Sequence, residues 1–244
     1  MTVPDALAIA AAGFTAGGVN TIVGSGSLVT FPTLLALGYP PVTANCSNTV
    51  GLVFGGISGV LGYRRELEGQ QRRALTLGTG TAAGAVLGGT LLLVLPPGVF
   101  KDVVPALILL ACLLMAIRRT PSAHADHERT AWGTVASFGT GIYGGYFGAA
   151  QGIILMSLLR FCFTDDLQRI NGLKNVLAAV ANGVAAVLFV FVAPVEWGPA
   201  ALIAAGSIVG AQVAARYGRQ IPSNVLRWIV VIGGTIVAVI LIFS

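Results

Sequence analysis

Hydrophobic positions along this chain come in long unbroken runs, without the alternation or one-sided striping of water-soluble elements. No Asp, Glu, Lys or Arg lies between Asp5 and Arg64, Arg73 and Lys101, Asp102 and Arg118, Arg129 and Arg160, Lys174 and Glu196, or Glu196 and Arg216, and none follows Arg227. A helix needs about 20 apolar residues to cross ~30 Å of hydrocarbon, and most of these runs are long enough. The pattern predicts spans over residues 41–63, 74–95, 99–117, 167–192, 198–215 and 225–243. Two further apolar segments, 5–37 and 132–163, are interrupted.

The interruptions are rich in glycine: Gly24-Ser25-Gly26-Ser27 in the first, Gly144-Gly145 and Gly148-Ala149-Ala150-Gln151-Gly152 in the second. Glycine lets a helix unwind at modest cost. The arms on either side are short for full crossings, so each segment is read as a re-entrant hairpin; two short tilted spans would give the same parity. Arginines mark the inner loops: Arg64, Arg65, Arg72 and Arg73 in one, Arg118, Arg119 and Arg129 in the next, Arg216, Arg219 and Arg227 in the last. Counting back places the N-terminus and the first hairpin outside, and the second hairpin inside. The halves thus share one plan in opposite orientation. Glycine spacing in 13–32 is echoed in 139–157, and Asn45-Cys46-Ser47-Asn48 in Asn171-Gly172-Leu173-Lys174-Asn175. The expected fold is an all-α integral membrane protein of two inverted-topology repeats, each a re-entrant hairpin plus three transmembrane helices, at 1–118 and 131–244 around a cytoplasmic linker, 119–130. Inverted repeats with interrupted helices are the sequence mark of secondary transporters.

Composition agrees. Only 9% of the 244 residues are charged and 55% are hydrophobic, whereas a soluble domain carries about 25% charge. The net charge of +5 comes from loop arginines without interleaved aromatics, so no nucleic-acid partner is expected. Cys46, Cys112 and Cys162, an odd set of three without CxxC spacing, form neither a disulfide framework nor a metal motif. His124 and His127 are read as part of a solvated linker, and no metal or cofactor is expected. The start lacks the basic stretch of a signal peptide, so the first apolar segment is expected to stay. No Ser/His/Asp, HExxH or paired-carboxylate set occurs, which argues against an enzyme.

The candidate chemistry concerns anions. All nine acidic residues lie at termini or in loops, so no intramembrane carboxylate is available to hold a cation. Each break starts a new half-helix whose first turn presents N–H groups and about half a positive charge. Two such ends at one midplane cavity make an anion site. Gly24, Ser25, Gly26 and Ser27 supply one, and Gly148, Gln151 and Gly152 the other, with the amides of Asn20, Asn45, Asn48, Asn171 and Asn175 as further donors. Gly51/Gly55/Gly59 and Gly80/Gly84/Gly88 are read as close helix packing. Lys174 is the one basic residue within a span. It is read either as counter-ion for the anion or as a boundary residue reaching back to the interface. Asn182, Ser207 and Gln212 are expected to bond between helices, and Trp132, Trp197 and Trp228 to anchor span ends.

At these residues the chain resembles the TauE/SafE family of membrane permeases, the sulfite exporters. The likeness rests on Gly24-Ser25-Gly26-Ser27 with Phe31-Pro32, on the stretch from Pro40 to Thr49, and on Gly62-Tyr63-Arg64-Arg65-Glu66-Leu67. Gly144-Gly145-Tyr146-Phe147-Gly148 and Asn171-Gly172-Leu173-Lys174-Asn175 continue it in the second half. Ala150-Gln151-Gly152 stands where the family shows consecutive glycines. The resemblance implies transport of sulfite, sulfonates or related sulfur oxyanions across a bacterial-type plasma membrane. The expectation is therefore an exporter of a small sulfur-containing anion working by alternating access, with the lipid bilayer as its other partner. A non-transporting subunit that assists a partner enzyme and an anion channel are the alternatives, and homo-oligomer formation is left open.

Overall fold

A computed structural model describes residues 1–116 and 129–217, together with Val231, Ile232, Thr235 and Val239. The interior of the expected linker, with His124 and His127, lies outside the described residues, as does most of the expected last span with Trp228. Arg118, Arg119, Arg219 and Arg227 also fall outside them.

The described chain forms α1 Val3–Ile22, α2 Ser27–Ala36, α3 Pro41–Gly62, α4 Gln71–Val94, α5 Pro97–Ala116, α6 Thr130–Tyr146, α7 Gln151–Cys162, α8 Leu167–Val192 and α9 Trp197–Tyr217. Local chemistry sets several starts. A reciprocal capping box of Thr2 and Asp5 opens α1, with proline in its first turn. Pro41 opens α3, where a missing N–H costs nothing. The Asp166 carboxylate caps α8 by accepting from the N–H groups of Gln168 (2.8 Å) and Arg169 (3.1 Å).

Three described helices, α4, α8 and α9, are long and apolar enough to cross a membrane, while α2 and α7 are short apolar helices of 10 and 12 residues. Large apolar side chains face outward: Phe191 is 82% exposed, Val94 74% and Val187 60%. A water-soluble protein does not display apolar surface on this scale. Lipid is the environment this surface fits, and the chain is an integral membrane protein.

With lipid outside, burying apolar area gives little drive for helix association, so the bundle depends on close contact. α1 packs on α9, and α4 on α6. Each pair meets through two glycines four residues apart on both helices. Gly13 and Gly17 face Ile203 and Ser207, while Gly206 and Gly210 face Ala10 and Phe14. In the other pair Gly84 and Gly88 lie against Phe138 and Ile142, and Gly141 and Gly145 against Thr81 and Ala85. At all eight positions an added Cβ would overlap the facing backbone. The run Gly80/Gly84/Gly88 thus packs, as do Gly51 and Gly55 of α3 against Ile203 and Ser207. Gln212 bonds the Ser58 carbonyl at 2.9 Å, and the Ser207 hydroxyl donates to the Gly51 carbonyl at 3.4 Å. Gly144 and Gly145, expected in the second interruption, are helical residues of α6 because both are used in packing.

One end of the bundle is pinned by charge. Asp165, between α7 and α8, pairs with Arg73 of α4 and with Arg169 at 3.1 Å. Arg169 also donates to the Glu68 carbonyl at 3.1 Å, and the Arg73 guanidinium stacks 4.3 Å from the Phe163 ring. The α3–α4 and α7–α8 links therefore sit together. Burial pushes the Asp165 carboxyl up, but Arg169 and Arg73 outweigh it and hold it below its ordinary value of 3.8.

Two outcomes follow from this packing. Gly84→Ala should lower stability in detergent by about 1–3 kcal/mol, whereas Gly139→Ala, with nothing within 4 Å, should leave it level or raise it. Equal thermal midpoints for the two variants would contradict the packing account. A depressed folded pKa means that Asp165 stabilises above its unfolded value and that this stabilisation fades as pH falls through the folded one. Asp165→Asn should therefore melt a few degrees lower than wild type at pH 7, with the gap closing in acid below 3.8. A gap unchanged by acid would count against the pairing.

Candidate functional site

Both breaks close in the same way. At the end of α1 the N–H groups of Val23 and Gly24 both donate to the Val19 carbonyl, at 2.8 and 3.0 Å. At the end of α6 those of Phe147 and Gly148 both donate to Tyr143, at 2.9 and 3.0 Å. Gly24 and Gly148 then turn with φ of +86° and +73°, a region where a Cβ is strained. α2 and α7 leave from these turns.

The breaks also touch. The Gly152 N–H donates to the Gly24 carbonyl at 2.9 Å, and a Cβ on either residue would overlap the backbone of the other. Residues 128 positions apart in sequence thus meet backbone to backbone. The other amides opening α7 are engaged locally: Gln151 N–H donates to Gly148 at 3.2 Å and Ile153 N–H to Ala150 at 3.0 Å. In this state α7 presents its dipole rather than a set of free donors.

Side chains from α3 and α8 clasp the breaks. Asn45 Nδ2 donates to the Tyr146 carbonyl at 3.0 Å, gripping the end of α6 from the other half of the chain. Asn48 accepts from the Thr30 hydroxyl and donates to Ser27 Oγ at 3.2 Å, which fastens α2. From α8, Asn171 and Asn175 each donate to the Thr21 carbonyl at 3.3 Å. Lys174 Nζ donates to the carbonyls of Asn20 (3.1 Å) and Thr21 (3.2 Å). A helix C-terminus carries partial negative charge, so an amine and two amides stabilise the end of α1 there. Lys174 is wholly buried, which excludes the boundary-residue alternative. Buried with it are the side-chain oxygens of Asn45 and Asn171, for which no hydrogen-bond partner occurs among the described residues. Since Nδ2 of each faces a carbonyl, the assignment of oxygen and nitrogen is fixed by the network.

The remaining expected residues sit close by. Ser25 is buried at the first break, and Gly26 packs against Ala16 and Asn20 of α1. Gln151 is turned back onto α6, where its amide donates to the Thr140 carbonyl at 3.1 Å in the space Gly144 leaves. Sequence reasoning missed Thr21, Thr30, Thr140 and Tyr146. Three of the four serve through backbone carbonyls, which leave no side-chain signal; only the Thr30 hydroxyl, one turn beyond Ser27, was open to inference. Beside the breaks, Phe31 meets Phe147 edge-on with ring centres 5.2 Å apart, and Phe100 lies 6.4 and 6.0 Å from these two rings. A recess of about 720 Å³ opens elsewhere, lined by Arg64, Arg65, Gln212 and Arg216, and none of the expected site residues borders it.

Ala150 has φ +57°, the single positive φ of a non-glycine residue among those described. A left-handed alanine costs about 1–2 kcal/mol. Ala150→Gly is accordingly expected to raise the thermal midpoint, and a lowered midpoint would argue against a strained turn.

The model of the family described as "Sulfite exporter TauE/SafE" matches residues 9–241. "Probable membrane transporter protein ORF9" of a Sinorhizobium species is 28% identical over 227 residues, covering 91% of this chain and 86% of that protein. A "Probable membrane transporter protein" of Haemophilus influenzae is 27% identical over 223 residues, covering 90% and 88%. "Probable membrane transporter protein YfcA" of Escherichia coli K12 is 24% identical over 236 residues, covering 94% and 86%. No solved structure gives a significant match. With apolar helices, matched glycine-broken segments and a family model spanning nearly its whole length, the chain belongs to the sulfite exporter TauE/SafE family of membrane transporters.

Proposed function

We propose that this transporter exports a small sulfur-containing anion, such as sulfite or a sulfonate, by alternating access across a bacterial-type inner membrane. In this reading α1–α2 and α6–α7 are re-entrant hairpins that open inverted repeats. The N-terminus lies outside and the central linker in the cytoplasm.

The observation that carries the proposal is the meeting of the two breaks at Gly24 and Gly152. Interrupted helices at corresponding places in two halves are where secondary transporters hold substrate. The correspondence extends through the bundle: α1 on α9 answers α6 on α4, and both pairs use doubled glycine contacts. Paired glycine surfaces without interlocking side chains suit one half rocking against the other. Gly24, Ser25, Gly26, Ser27, Asn45, Asn48, Gly148, Gln151, Gly152, Asn171, Lys174 and Asn175 would border the substrate once the Gly24–Gly152 contact parts. The dipoles of α2 and α7 and the Lys174 amine give that space positive character, and no carboxylate competes. The sulfur-anion assignment rests on the family description.

Purified protein in liposomes should support counterflow of at least one of labelled sulfite, sulfoacetate, taurine or sulfate. If none moves, the substrate class proposed is wrong. Gly24→Val, which puts a branched side chain into the Gly152 backbone, should cut the rate at least tenfold while Gly139→Ala does not. Full activity in Gly24→Val would separate the breaks from the transport path.

A further inference from the structure

We propose that Lys174 is the proton carrier of this transporter, taking up one proton together with each anion and releasing it with that anion on the far side. The inference rests on the transport reading above and adds its coupling.

The argument is a count of hydrogen-bond donors. Lys174 Nζ makes two hydrogen bonds, to the carbonyls of Asn20 and Thr21. A neutral amine has two N–H groups and an ammonium has three. The amine therefore satisfies the observed contacts completely, and the extra N–H of the ammonium has no acceptor among the described residues. The residue is fully buried, where neither water nor a headgroup can supply one. An oxyanion arriving beside Asn171 and Asn175 would supply that acceptor and a compensating charge at once. Charge on Lys174 and occupancy by an anion then favour each other, which is the condition for coupling.

Among the described residues no other charge is bonded to Lys174. On α8 itself Asp166 and Arg169 belong to the first turn and its cap, and Asp166 is spent on the N–H groups there. α3 brings the thiol of Cys46, α6 the phenols of Tyr143 and Tyr146, and α7 Arg160 and the thiol of Cys162. Arg72 and Arg73 stand in the first turn of α4, with Arg73 committed to Asp165. Glu66 approaches from the α3–α4 link, its Cβ near Gly172, and α1 offers Asp5 only at its opposite end. Lys174 makes no ion pair with any of them.

The proton balance is simple. On the loading side the Nζ lone pair takes a proton from water, forming the third N–H bond as the anion docks. On the release side that bond gives its proton back to water as the anion leaves. The lysine returns as an amine still bonded to Asn20 and Thr21.

The test uses sulfite in proteoliposomes, with protons and sulfite counted in the same vesicles. Any proton borne by sulfite itself contributes equally to every variant. Lys174→Arg holds a permanent charge, so its rate should fall and its ratio of protons to sulfite should drop by one from the wild-type value. An unchanged ratio overturns the proposal. Should Lys174→Arg fail to fold, the wild type answers alone. The chain has two lysines, Lys101 and Lys174, so ¹³C-lysine-labelled protein gives two Cε signals, assigned with Lys101→Arg. Saturating sulfite at constant pH should shift the Lys174 signal from the amine towards the ammonium position and leave Lys101 in place. A Lys174 signal that stays put while sulfite moves overturns the coupling and leaves the transport reading intact. If sulfite does not move, the same counts are made with whichever of sulfoacetate, taurine or sulfate does, and absence of movement with all four overturns both.

Discussion

A peptide group inside a bilayer has no water to turn to, so every unwound stretch of helix must find its partners within the protein. The Gly152 N–H on the Gly24 carbonyl is where this molecule meets that requirement most directly. Each break strands backbone groups that the helix would have paired, and each answers part of the other's need. The close approach demands that both residues lack a Cβ, and the turn at Gly24 additionally demands a positive φ. Neither break makes sense without the other.

The clasping side chains extend the same logic. Asn45 crosses to the end of α6, while Asn171, Lys174 and Asn175 of α8 converge on the end of α1. More N–H donors converge on the Thr21 carbonyl than it has lone pairs, so the end of α1 sits in a concentrated positive environment. On the proposed transport reading, this end of α1 would border a substrate space whose positive character comes mainly from dipoles and amides, with one amine added. Such an arrangement would attract an anion without placing an unpaired, permanently charged arginine in the membrane.

Packing and mobility are also linked. The helix pairs α1/α9 and α4/α6 adhere through glycine faces, with backbone lying on backbone. Contacts of this kind carry much dispersion energy but few interlocking side chains. An ionic tie is added at one end, where Asp165 pairs with Arg73 of α4 and Arg169 of α8.

Much of this was legible in the residues alone. Charge-free runs longer than a bilayer is thick establish the membrane bundle, and glycine clusters locate both breaks, because unwinding and insertion are local properties of a segment. The absence of intramembrane carboxylates and the polar sets around Asn45 and Lys174 likewise follow from the order of residues. What the sequence could not state is which groups become partners. Gly144 and Gly145 look like further unwinding but are helical, with the Gln151 side chain against the first and α4 against the second; the doubled glycines of α1 and α9 look like any others until those helices meet. Lys174 could equally have reached for the interface until the end of α1 was placed beside it. These choices belong to tertiary structure, since each joins groups far apart in the chain whose neighbours are decided only when whole helices pack.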